Sequence, residues 1–250
     1  IGRDRDGAVA AVLGPTLETV TGSGPVTTGV DLRVPIGSPK DYRLAGTFDL
    51  EGARLGLRGV DIGLTALNGV VRLDTNRLVA TELTGRFLDE PVKIGLRPAT
   101  PAESGLTQVA DLQGETPAGK LAAAFSLPYA EKLGGGVAWM ATVKVPERRT
   151  SEPVRIEIRS DLEQLVSTLP PPLAKAAGDP EPMRLEVRLP ERGLVQVSGT
   201  IERGVSWALQ LVSGTKRGRS TWRLERGALH SGSVLASLPG EPGLEIGGNF

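Results

Sequence analysis

Few residues of this sequence have the chemistry that catalysis requires. The 250 residues include one histidine, His230, and no cysteine. General acid–base catalysis and catalytic triads most often use histidine or cysteine side chains. His230 follows Leu229 in a segment with the alternation of a strand, a position typical of a structural histidine. The sequence therefore identifies no catalytic residue, and we predict that the protein is not an enzyme.

Two pairs of carboxylates, Asp4 with Asp6 and Asp89 with Glu90, have the spacing of an acid pair or a cation site. Acidic residues in such contexts are more often exposed turn residues than ligands. An enzyme would need acids that converge on one pocket, and the sequence clusters none near any turn. We therefore predict neither a metal site nor a cofactor.

Two further motifs suggest anion binding. The three glycines at 134–136 precede a predicted strand and lack the following Lys-Ser/Thr of a phosphate-binding loop, so we interpret them as a turn between a helix and a strand. Lys216, Arg217 and Arg219 form the densest basic cluster, which could contact lipid headgroups or an anionic partner. A solvated hairpin tip is the more usual setting for such a run.

The overall charge excludes another class of partner. The 29 lysines and arginines balance 29 acidic residues, so the chain has no long-range field that would attract nucleic acid. The absence of cysteine excludes disulfides and thiolate metal sites. Hydrophobic residues make up 39% of the chain, which is compatible with a folded protein.

The elements that would position these residues are mainly strands. Glycine and proline are abundant, at 33 and 19 residues, and aromatic residues make up only 4%, a composition typical of many short strands and turns. The three tryptophans, Trp139, Trp207 and Trp222, all fall in predicted strands, where each ring either fills a core or lies along a wall. Alternating residues predict strands at 27–34, 42–50, 53–57, 69–73, 78–87, 92–97, 106–113, 139–145, 154–159, 185–189, 194–201, 206–212, 221–225 and 229–235.

Short helices are predicted between groups of strands. Ser160 or Asp161 can cap a helix that ends near Leu169, before three consecutive prolines. The other predicted helices are two within 7–20, one at 118–125, one at 129–133 and one at 173–177.

The sequence also contains an internal repeat. The segments and their later counterparts are 22–24 with 134–136, 32–35 with 143–146, and 49–51 with 161–163. An internal repeat is typical of chains built from stacked structural units that share one core. We predict a first repeat unit of short helices and a β-meander at 1–100. A second unit at 101–190 contains the helix, proline run and helix, and 191–250 begins a further, truncated β segment.

The chain has the features of a fragment. It begins with Ile1, and its last residues end within a predicted strand. No stretch approaches the roughly 18 to 20 apolar residues that span a bilayer, so any transmembrane anchor is expected outside the fragment.

Three stretches of this sequence resemble the YhdP family, AsmA-like proteins of Gram-negative bacteria that are similar to bridge-like lipid transporters. The stretches are 83–92, the run from Ser160 through Pro170-Pro171-Pro172 to Lys175, and 226–248. The proline run followed by leucine and lysine is the most specific of the three, and the order and spacing match across most of the chain.

The resemblance implies a location and an activity. The chain would be the periplasmic part of an inner-membrane-anchored protein of the Gram-negative envelope. The implied fold is mainly β, an extended, curved antiparallel sheet that forms a groove, with repeated units and a few short helices at its rim. The groove would carry phospholipid acyl chains between the inner and outer membranes, and envelope membrane proteins could act at its ends.

Strand parity predicts which side chains would line such a groove. A sheet that does not close exposes one apolar face, which acyl chains could cover, whereas in a sandwich or barrel the same face would be core. The predicted lining residues are Tyr42, Leu44, Phe48, Leu50, Val154, Ile156, Ile158, Leu185, Val187 and Leu189. The alternative is a structural scaffold whose sheets enclose their own core without lipid.

Overall fold

The sheet extends through almost all of the residues that the structure describes. The computed structural model describes residues 20–33, 43–57, 63–75, 77–125, 127, 129–147, 150, 152–171, 173–191, 193–216 and 219–248. These residues form one open, curved, mostly antiparallel sheet of 15 strands, with a single α-helix in the described ranges. The predicted fold class is therefore confirmed.

The strands follow one another along the chain with few interruptions. They are β1 (Val20–Ser23), β2 (Val26–Arg33), β3 (Arg43–Leu57), β4 (Gly63–Asp74), β5 (Arg77–Phe87), β6 (Glu90–Pro98), β7 (Leu106–Pro117), β8 (Leu133–Pro146), β9 (Val154–Ser160), β10 (Leu165–Ser167), β11 (Met183–Glu191), β12 (Leu194–Ile201), β13 (Val205–Lys216), β14 (Arg219–Ser231) and β15 (Gly243–Gly248). Helix α1 (Ala118–Ala124) and the 3-10 helix η1 (Ala130–Lys132) connect β7 to β8.

Neighbours in sequence are neighbours in the sheet. From β3 to β9 each strand pairs with the next, and β9 pairs with β11, after which the order continues to β15. Both β1 and β2 pair with β3, while the short β10 extends the edge of β8. All these pairings are antiparallel except that between β14 and β15.

The first half of the sheet encloses an apolar core. Buried side chains from β3 to β6 form one cluster, which consists of Phe48, Ala53, Leu67, Val71, Leu73, Ala80, Leu83, Val92 and Ile94. Within the described residues no second layer covers them, so the sheet must curve towards this face until its own side chains bury one another. Leu112 and Trp139 extend the cluster onto β7 and β8.

Trp139 shows how this core is filled. Its indole Nε1 donates a 3.0 Å hydrogen bond to the buried Thr116 Oγ1. Its ring meets Phe87 edge to face, with centroids 5.5 Å apart. A Cβ atom at Gly114, the registered partner of Trp139, would lie 3.0 Å from the indole. The ring therefore occupies the space that the glycine leaves, and Trp139 is a core residue.

The breaks before the predicted strands at 53–57 and 69–73 carry the turn sequences Glu51-Gly52 and Asn68-Gly69, and both are β-bulges instead of turns. Glu51-Gly52 lies inside the continuous strand β3, and Asn68-Gly69 lies inside β4. Gly52 and Gly69 have φ of +75° and +124°, and the register shifts next to Gly52. A glycine in this region adds a residue to one strand and sharpens its twist without ending the pairing. The glycines do mark a change in backbone direction, but the change is a bend within a strand and not a turn between two strands.

The helix predictions have mixed outcomes. The helix at 118–125 is confirmed as α1, the segment at 129–133 is the 3-10 helix η1, and 7–19 lies outside the described residues. The helices at 161–169 and 173–177 are wrong. The Ser160 Oγ accepts from the Leu162 N–H at 3.1 Å, and the Asp161 Oδ1 accepts from the Glu163 N–H at 3.1 Å. These short-range bonds fix a tight turn, with Leu162 at φ +50°, where the predicted caps would start a helix.

The triglycine prediction is also wrong, because residues 134–136 belong to β8. Gly135 has φ +76°, and the segment pairs with β10 on one side and β7 on the other. The predicted strand at 229–235 ends early, at Ser231. Residues 232–242 then cross the side of the sheet on which Ser206 of β13 lies, and the Ala236 N–H donates to the Ser206 Oγ at 2.9 Å. Ala228 of β14, on the same side, is buried.

An ion pair organises the loop between β6 and β7. The Arg97 guanidinium donates two hydrogen bonds to the Glu103 carboxylate, at 2.8 and 2.9 Å, and the Thr100 N–H donates a third at 2.9 Å. The hydrogen bonds from Arg97 are the main cause that lowers the pKa of Glu103 from 4.5 to about 2. The same pairing raises the pKa of Arg97. Because the folded-state pKa of Glu103 is lowered, its stabilising contribution is complete above pH 4.5 and is lost as the pH falls towards 2.

Removing Arg97 should release this carboxylate. In Arg97→Ala we expect the pKa of Glu103 to rise towards 4.5, while the Thr100 N–H keeps it somewhat below that value. An NMR titration of the Glu103 carboxyl carbon measures the change. Arg223→Ala, at an exposed arginine on distant β14, is the matched control and should leave the titration unaltered. An unchanged Glu103 pKa in Arg97→Ala would contradict the assigned cause.

Two leucines of the same sheet should differ widely in their contribution to stability. Leu83 is 4% exposed within the core cluster, whereas Leu32 is 59% exposed on β2. We expect Leu83→Ala to lower the free energy of unfolding by about 2–5 kcal/mol, and Leu32→Ala by about 0.5 kcal/mol or less. Urea denaturation measures both. Equal losses would show that the curvature does not bury the face as described.

Candidate functional site

One face of the sheet is apolar from the first half to the last strand. In an antiparallel pair, residues directly opposite each other point to the same side. Following the registered partners across neighbouring strands therefore traces rows of side chains on one face. We call this side of the sheet the apolar face and the other side the polar face.

Two such rows run across nine strands, from β6 to β15. The first is Ile94, Leu112, Ala141, Ile158, Leu185, Gly199, Trp207, Leu229 and Ile246. The second is Leu96, Ala110, Val143, Ile156, Val187, Val197, Leu209, Gly227 and Leu244. Neither row contains a polar side chain.

Between β8 and β14 the apolar face is open. At the strand positions described there, no charged residue points to this side. The aliphatic side chains in the middle of the face are half-buried, and Leu244 and Ile246 on β15 are 54% and 62% exposed. Along β11 the open apolar positions run from Leu185 to Leu189, about 13 Å at the usual rise per strand residue, because Met183 packs against a buried cluster at one end. An open apolar surface of this extent is characteristic of a binding surface.

Six of the predicted lining residues lie together on this open part. The register pairs Val154 with Leu189, Ile156 with Val187 and Ile158 with Leu185 across β9 and β11. All six are half-buried. Because the strands alternate without a bulge over these pairs, the parity read from sequence placed every one on the same side.

The four predicted residues of the first unit have a different setting. Phe48 is buried in the core cluster, and Leu44 and Leu50 pack against it. Tyr42 lies outside the described residues. Phe48 therefore points to the apolar face as predicted, but the curvature of β3 to β6 covers it with other side chains of the chain itself.

The predicted set omits several positions of the open face. Val195, Val197, Trp207, Leu209 and Leu211 belong to β12 and β13 and continue the rows beyond β11. The sequence does show apolar residues at alternate positions in both strands. Only the register shows that they join the same face.

Trp207 lies across the floor of the open face. Its registered partner is Gly199, and a Cβ atom built there would collide with the indole ring. The ring therefore lies over a bare stretch of backbone, as Trp139 does over Gly114 at the core. The indole is half-buried and belongs to the open face, not to a buried cluster. Trp222, opposite Ser213, is on the same face six residues further along the neighbouring strand.

The apolar face is walled at one end of its strands, which we call the helix end. There α1 packs on β7 and β8, and Ala118, Val137 and Leu162 form a second buried cluster with Leu121, Leu133, Leu165 and Met183 packed around it. Val137 and Met183 are positions of the apolar face. The wall thus covers the face where the strands meet residues 161–182.

Two cations hold this wall in place. The buried Lys175 Nζ donates to the carbonyl oxygens of Glu163, Leu165 and Ala176, at 3.4, 3.4 and 3.0 Å. Arg203, in the turn between β12 and β13, bonds Asp179 at 2.8 Å and Glu181 at 3.1 Å. It also donates to the Ala174 carbonyl at 2.8 Å. Lys175 belongs to the motif that carried the family resemblance, and its role here is structural.

At the opposite end of the strands, which we call the hairpin end, the connection from β8 to β9 spans residues 147–153 and the other two connections are short. β11 ends at Glu191 and β12 begins at Leu194, while β13 ends at Lys216 and β14 begins at Arg219. The second connection therefore contains the predicted basic cluster, of which Arg217 lies outside the described residues. Leu224, on the apolar face near this end, is 40% exposed.

The polar face carries the charges. Arg155 lies opposite Arg188, and Glu157 lies opposite Glu186, so like charges face each other across β9 and β11. Ion pairs to other partners offset this repulsion, as Lys144 with Glu157 and Arg188 with Glu186 show. The charges therefore keep this side in water while the other side stays free of them.

The remaining chemical candidates are structural. His230 is half-buried on β14, and its ring covers Gly247. The Glu90 carboxylate accepts a hydrogen bond from the Lys120 Nζ at 2.7 Å, and Asp89 lies in an exposed turn with φ +66°. No group of three potential metal ligands occurs within the described ranges. Asp4 and Asp6 lie outside them.

The structure contains no helix, among those described, of the length and apolarity needed to cross a membrane.

Comparisons with known proteins identify the family of the chain. The family described as YhdP protein matches residues 6–250. The intermembrane phospholipid transporter YhdP of Escherichia coli (strain K12) is 28% identical over 178 residues, which are 70% of this chain and 14% of that relative. The chain thus spans about one seventh of the relative's length. No solved structure matches. Because the family match covers nearly the whole sequence, the chain belongs to the YhdP family.

Proposed function

We propose that this chain is a noncatalytic section of a phospholipid-transport bridge, in which acyl chains slide along the apolar face. The observation that supports it is the continuous apolar face between β8 and β14, which is open to solvent and free of charged side chains. Acyl chains present no fixed polar groups, so a surface that binds them needs apolar area and no specific hydrogen bonds. The name of the E. coli relative, an intermembrane phospholipid transporter, supports the same substrate.

The geometry suits movement across the strands. The rows of apolar side chains run perpendicular to the strand direction and pass from one strand to the next without a polar step. A lipid that shifts by one strand therefore exchanges one set of aliphatic contacts for a similar set. No directional energy source is needed within this section, and gradients or partners outside it would set the direction.

The wider setting is part of the proposal. A protein that moves phospholipid between two membranes of the Gram-negative envelope must cross the periplasm, so we place this section there, within an inner-membrane-anchored protein. Envelope membrane proteins at the two ends of the full bridge would load and receive lipid. The division into units at 1–100, 101–190 and 191–250 remains part of the same hypothesis.

A second candidate is a structural scaffold without lipid. The buried cluster of β3 to β6 favours it, because there the same face is covered by the protein's own side chains. The two functions differ in what the open half contains in solution. A scaffold would leave that half empty or cover it with another protein, whereas a transporter section would retain phospholipid.

Charges placed on the open face should remove bound lipid. We expect the purified protein to retain phospholipid, and Ile156→Glu and Val187→Glu to lose most of it, because each places an ionised carboxylate among aliphatic neighbours. Native mass spectrometry with lipid extraction measures the bound lipid. Circular dichroism verifies that the variants are folded.

A control on the polar face separates position from charge. Met140 is 62% exposed and lies opposite Arg159 on the polar face of the adjacent strand pair. Met140→Glu should keep its lipid at the level of the unsubstituted protein. Folded, lipid-free unsubstituted protein would favour the scaffold instead, and equal loss in all three variants would show that the apolar face is not the site.

A further inference from the structure

We propose that the passage of lipid along the apolar face is controlled between β5 and β8, by a ring contact of Phe87 with Trp139 and by the hydrogen bonds between Gln108 and Leu78. We call these two the boundary contacts. The inference rests on the proposed function and adds the regulation of its lipid path. Both contacts are closed in the structure, and an acyl chain that moves from the open part of the face towards β3 must separate them.

The apolar face continues beyond its open part. Both apolar rows extend onto β7 and β6, where they reach Ile94 and Leu96. Ile94 is 7% exposed and belongs to the core cluster, and Leu96 packs against that cluster. The floor that an acyl chain would follow is therefore continuous, while the space above it is open at β9 and filled at β6. Passage across the strands requires this space to open.

The first boundary contact lies towards the helix end. Phe87 is the last residue of β5 and Trp139 belongs to β8, so three strand steps separate their backbones, about 14 Å in a flat sheet. Their rings nevertheless meet edge to face, with centroids 5.5 Å apart. Gly85 and Gly114 lie in the registered row of Trp139 and leave room for the two rings above the backbone. The aromatic pair thus spans the face from β5 to β8.

The second boundary contact lies towards the hairpin end. The Gln108 carboxamide on β7 donates to the Leu78 carbonyl at 2.8 Å and to the Arg97 carbonyl at 2.7 Å, and it accepts from the Leu78 N–H at 3.2 Å. Leu78 belongs to β5, and β6 ends between the two strands at Pro98, the registered partner of Gln108. A proline has no N–H to donate to a neighbouring strand. The Gln108 side chain therefore binds β5 where the backbone of β6 cannot.

The two contacts lie at opposite ends of one boundary. On β7, Gln108 and Gly114, the registered partner of Trp139, are six residues apart, or about 20 Å. The positions of the apolar face between them on this strand are Ala110 and Leu112. An acyl chain that crosses β7 here therefore meets aliphatic side chains, and the two contacts decide whether β5 can move away to admit it.

The strands beyond the boundary are joined irregularly. The register of β4 with β5 shifts between Asn68 and Arg72, and the register of β5 with β6 shifts between Ala80 and Leu83. Residues 81–82 of β5 consequently have no registered partner on either side among the described strands. Segments with fewer paired residues open at a lower free energy than regular ladders. The boundary contacts therefore hold a strand that its own neighbours hold incompletely.

A cysteine in the covered part measures opening. The sequence has no cysteine, and Ala80 is 4% exposed in the core cluster, so Ala80→Cys provides one small, buried thiol. We expect Gln108→Ala to accelerate its modification by a water-soluble thiol reagent at least about fivefold, the effect of one net hydrogen bond. Gln113→Ala, at an exposed glutamine of the same strand, is the matched control and should leave the rate unchanged. An unchanged rate in Gln108→Ala would overturn the proposal.

A second reporter separates local opening from unfolding of the whole protein. Ala208 on β13 is 5% exposed and lies on the polar face, away from the boundary. Gln108→Ala should leave the modification rate of Ala208→Cys unchanged. Equal acceleration of both reporters would show that the substitution promotes global unfolding and that no separate opening exists at β5, which would also overturn the proposal.

Passage of lipid is measured with phosphatidylglycerol that carries a photoreactive diazirine in one acyl chain. The protein takes up this lipid from vesicles and is irradiated, and mass spectrometry identifies the cross-linked peptides. We expect most cross-links between β8 and β14 in the unsubstituted protein, and a larger share within β3 to β6 in Gln108→Ala but not in Gln113→Ala. Faster modification of Ala80→Cys without more cross-links in β3 to β6 would show a permanent core and overturn the inference. Cross-links in no strand would contradict the proposed function itself.

Hydrogen exchange in the unsubstituted protein keeps the test valid if Gln108→Ala does not fold. The Leu78 N–H is bonded to Gln108, so loading with phosphatidylglycerol from vesicles should accelerate its exchange as acyl chains separate the contact. The Gly178 N–H, which donates to the Glu163 carbonyl at 2.8 Å in the wall, should exchange at the same rate with and without lipid. An unchanged Leu78 exchange rate in lipid-loaded protein would overturn the inference.

Discussion

The architecture depends on one constraint, which is that a single-layered sheet with an apolar side must have that side covered. Exposed apolar area costs roughly 25 cal/mol for each Å² left in water. In this chain that area is covered in two ways along one continuous face. From β3 to β6 the sheet curves until Leu83, Val92 and their neighbours bury one another. At the helix end α1 and Leu162 cover the strand ends. Between β8 and β14 neither device operates, and a ligand can supply the cover.

Local backbone irregularities make this curvature compatible with unbroken pairing. Gly52 and Gly69 allow bulges inside long strands, so β3 and β4 bend without losing their neighbours. Glycine also creates room on the apolar face, where Trp139 and Trp207 lie over Gly114 and Gly199. The large rings replace the missing side chains of the adjacent strand. The apolar surface is thereby kept continuous.

The separation of charge between the two faces serves the same end. Arginines and glutamates alternate on the polar side of β9 and β11, and their registered partners have the same sign. Ion pairs such as Lys144 with Glu157 offset this repulsion at the surface. Since every charged position of these strands is on one side, the other side can be wide and uniformly apolar.

The sequence by itself determined what depends on local periodicity. Alternation along 154–159 and 185–189 identified these strands and placed Ile156 and Val187 on one side, because side-chain direction reverses at each strand residue. Whether that side is open or buried was decided by tertiary structure. Phe48 and Ile156 have the same local pattern, yet curvature buries the first and leaves the second half-exposed. The segment after Ser160 forms a turn instead of the predicted helix, because the Ser160 and Asp161 side chains each accept a hydrogen bond from the backbone N–H two residues ahead. The residues that follow form β10, which pairs with β8. Periodicity is a property of neighbouring residues, whereas register, curvature and the wall at Leu162 arise from contacts between strands distant in sequence, which no local pattern encodes.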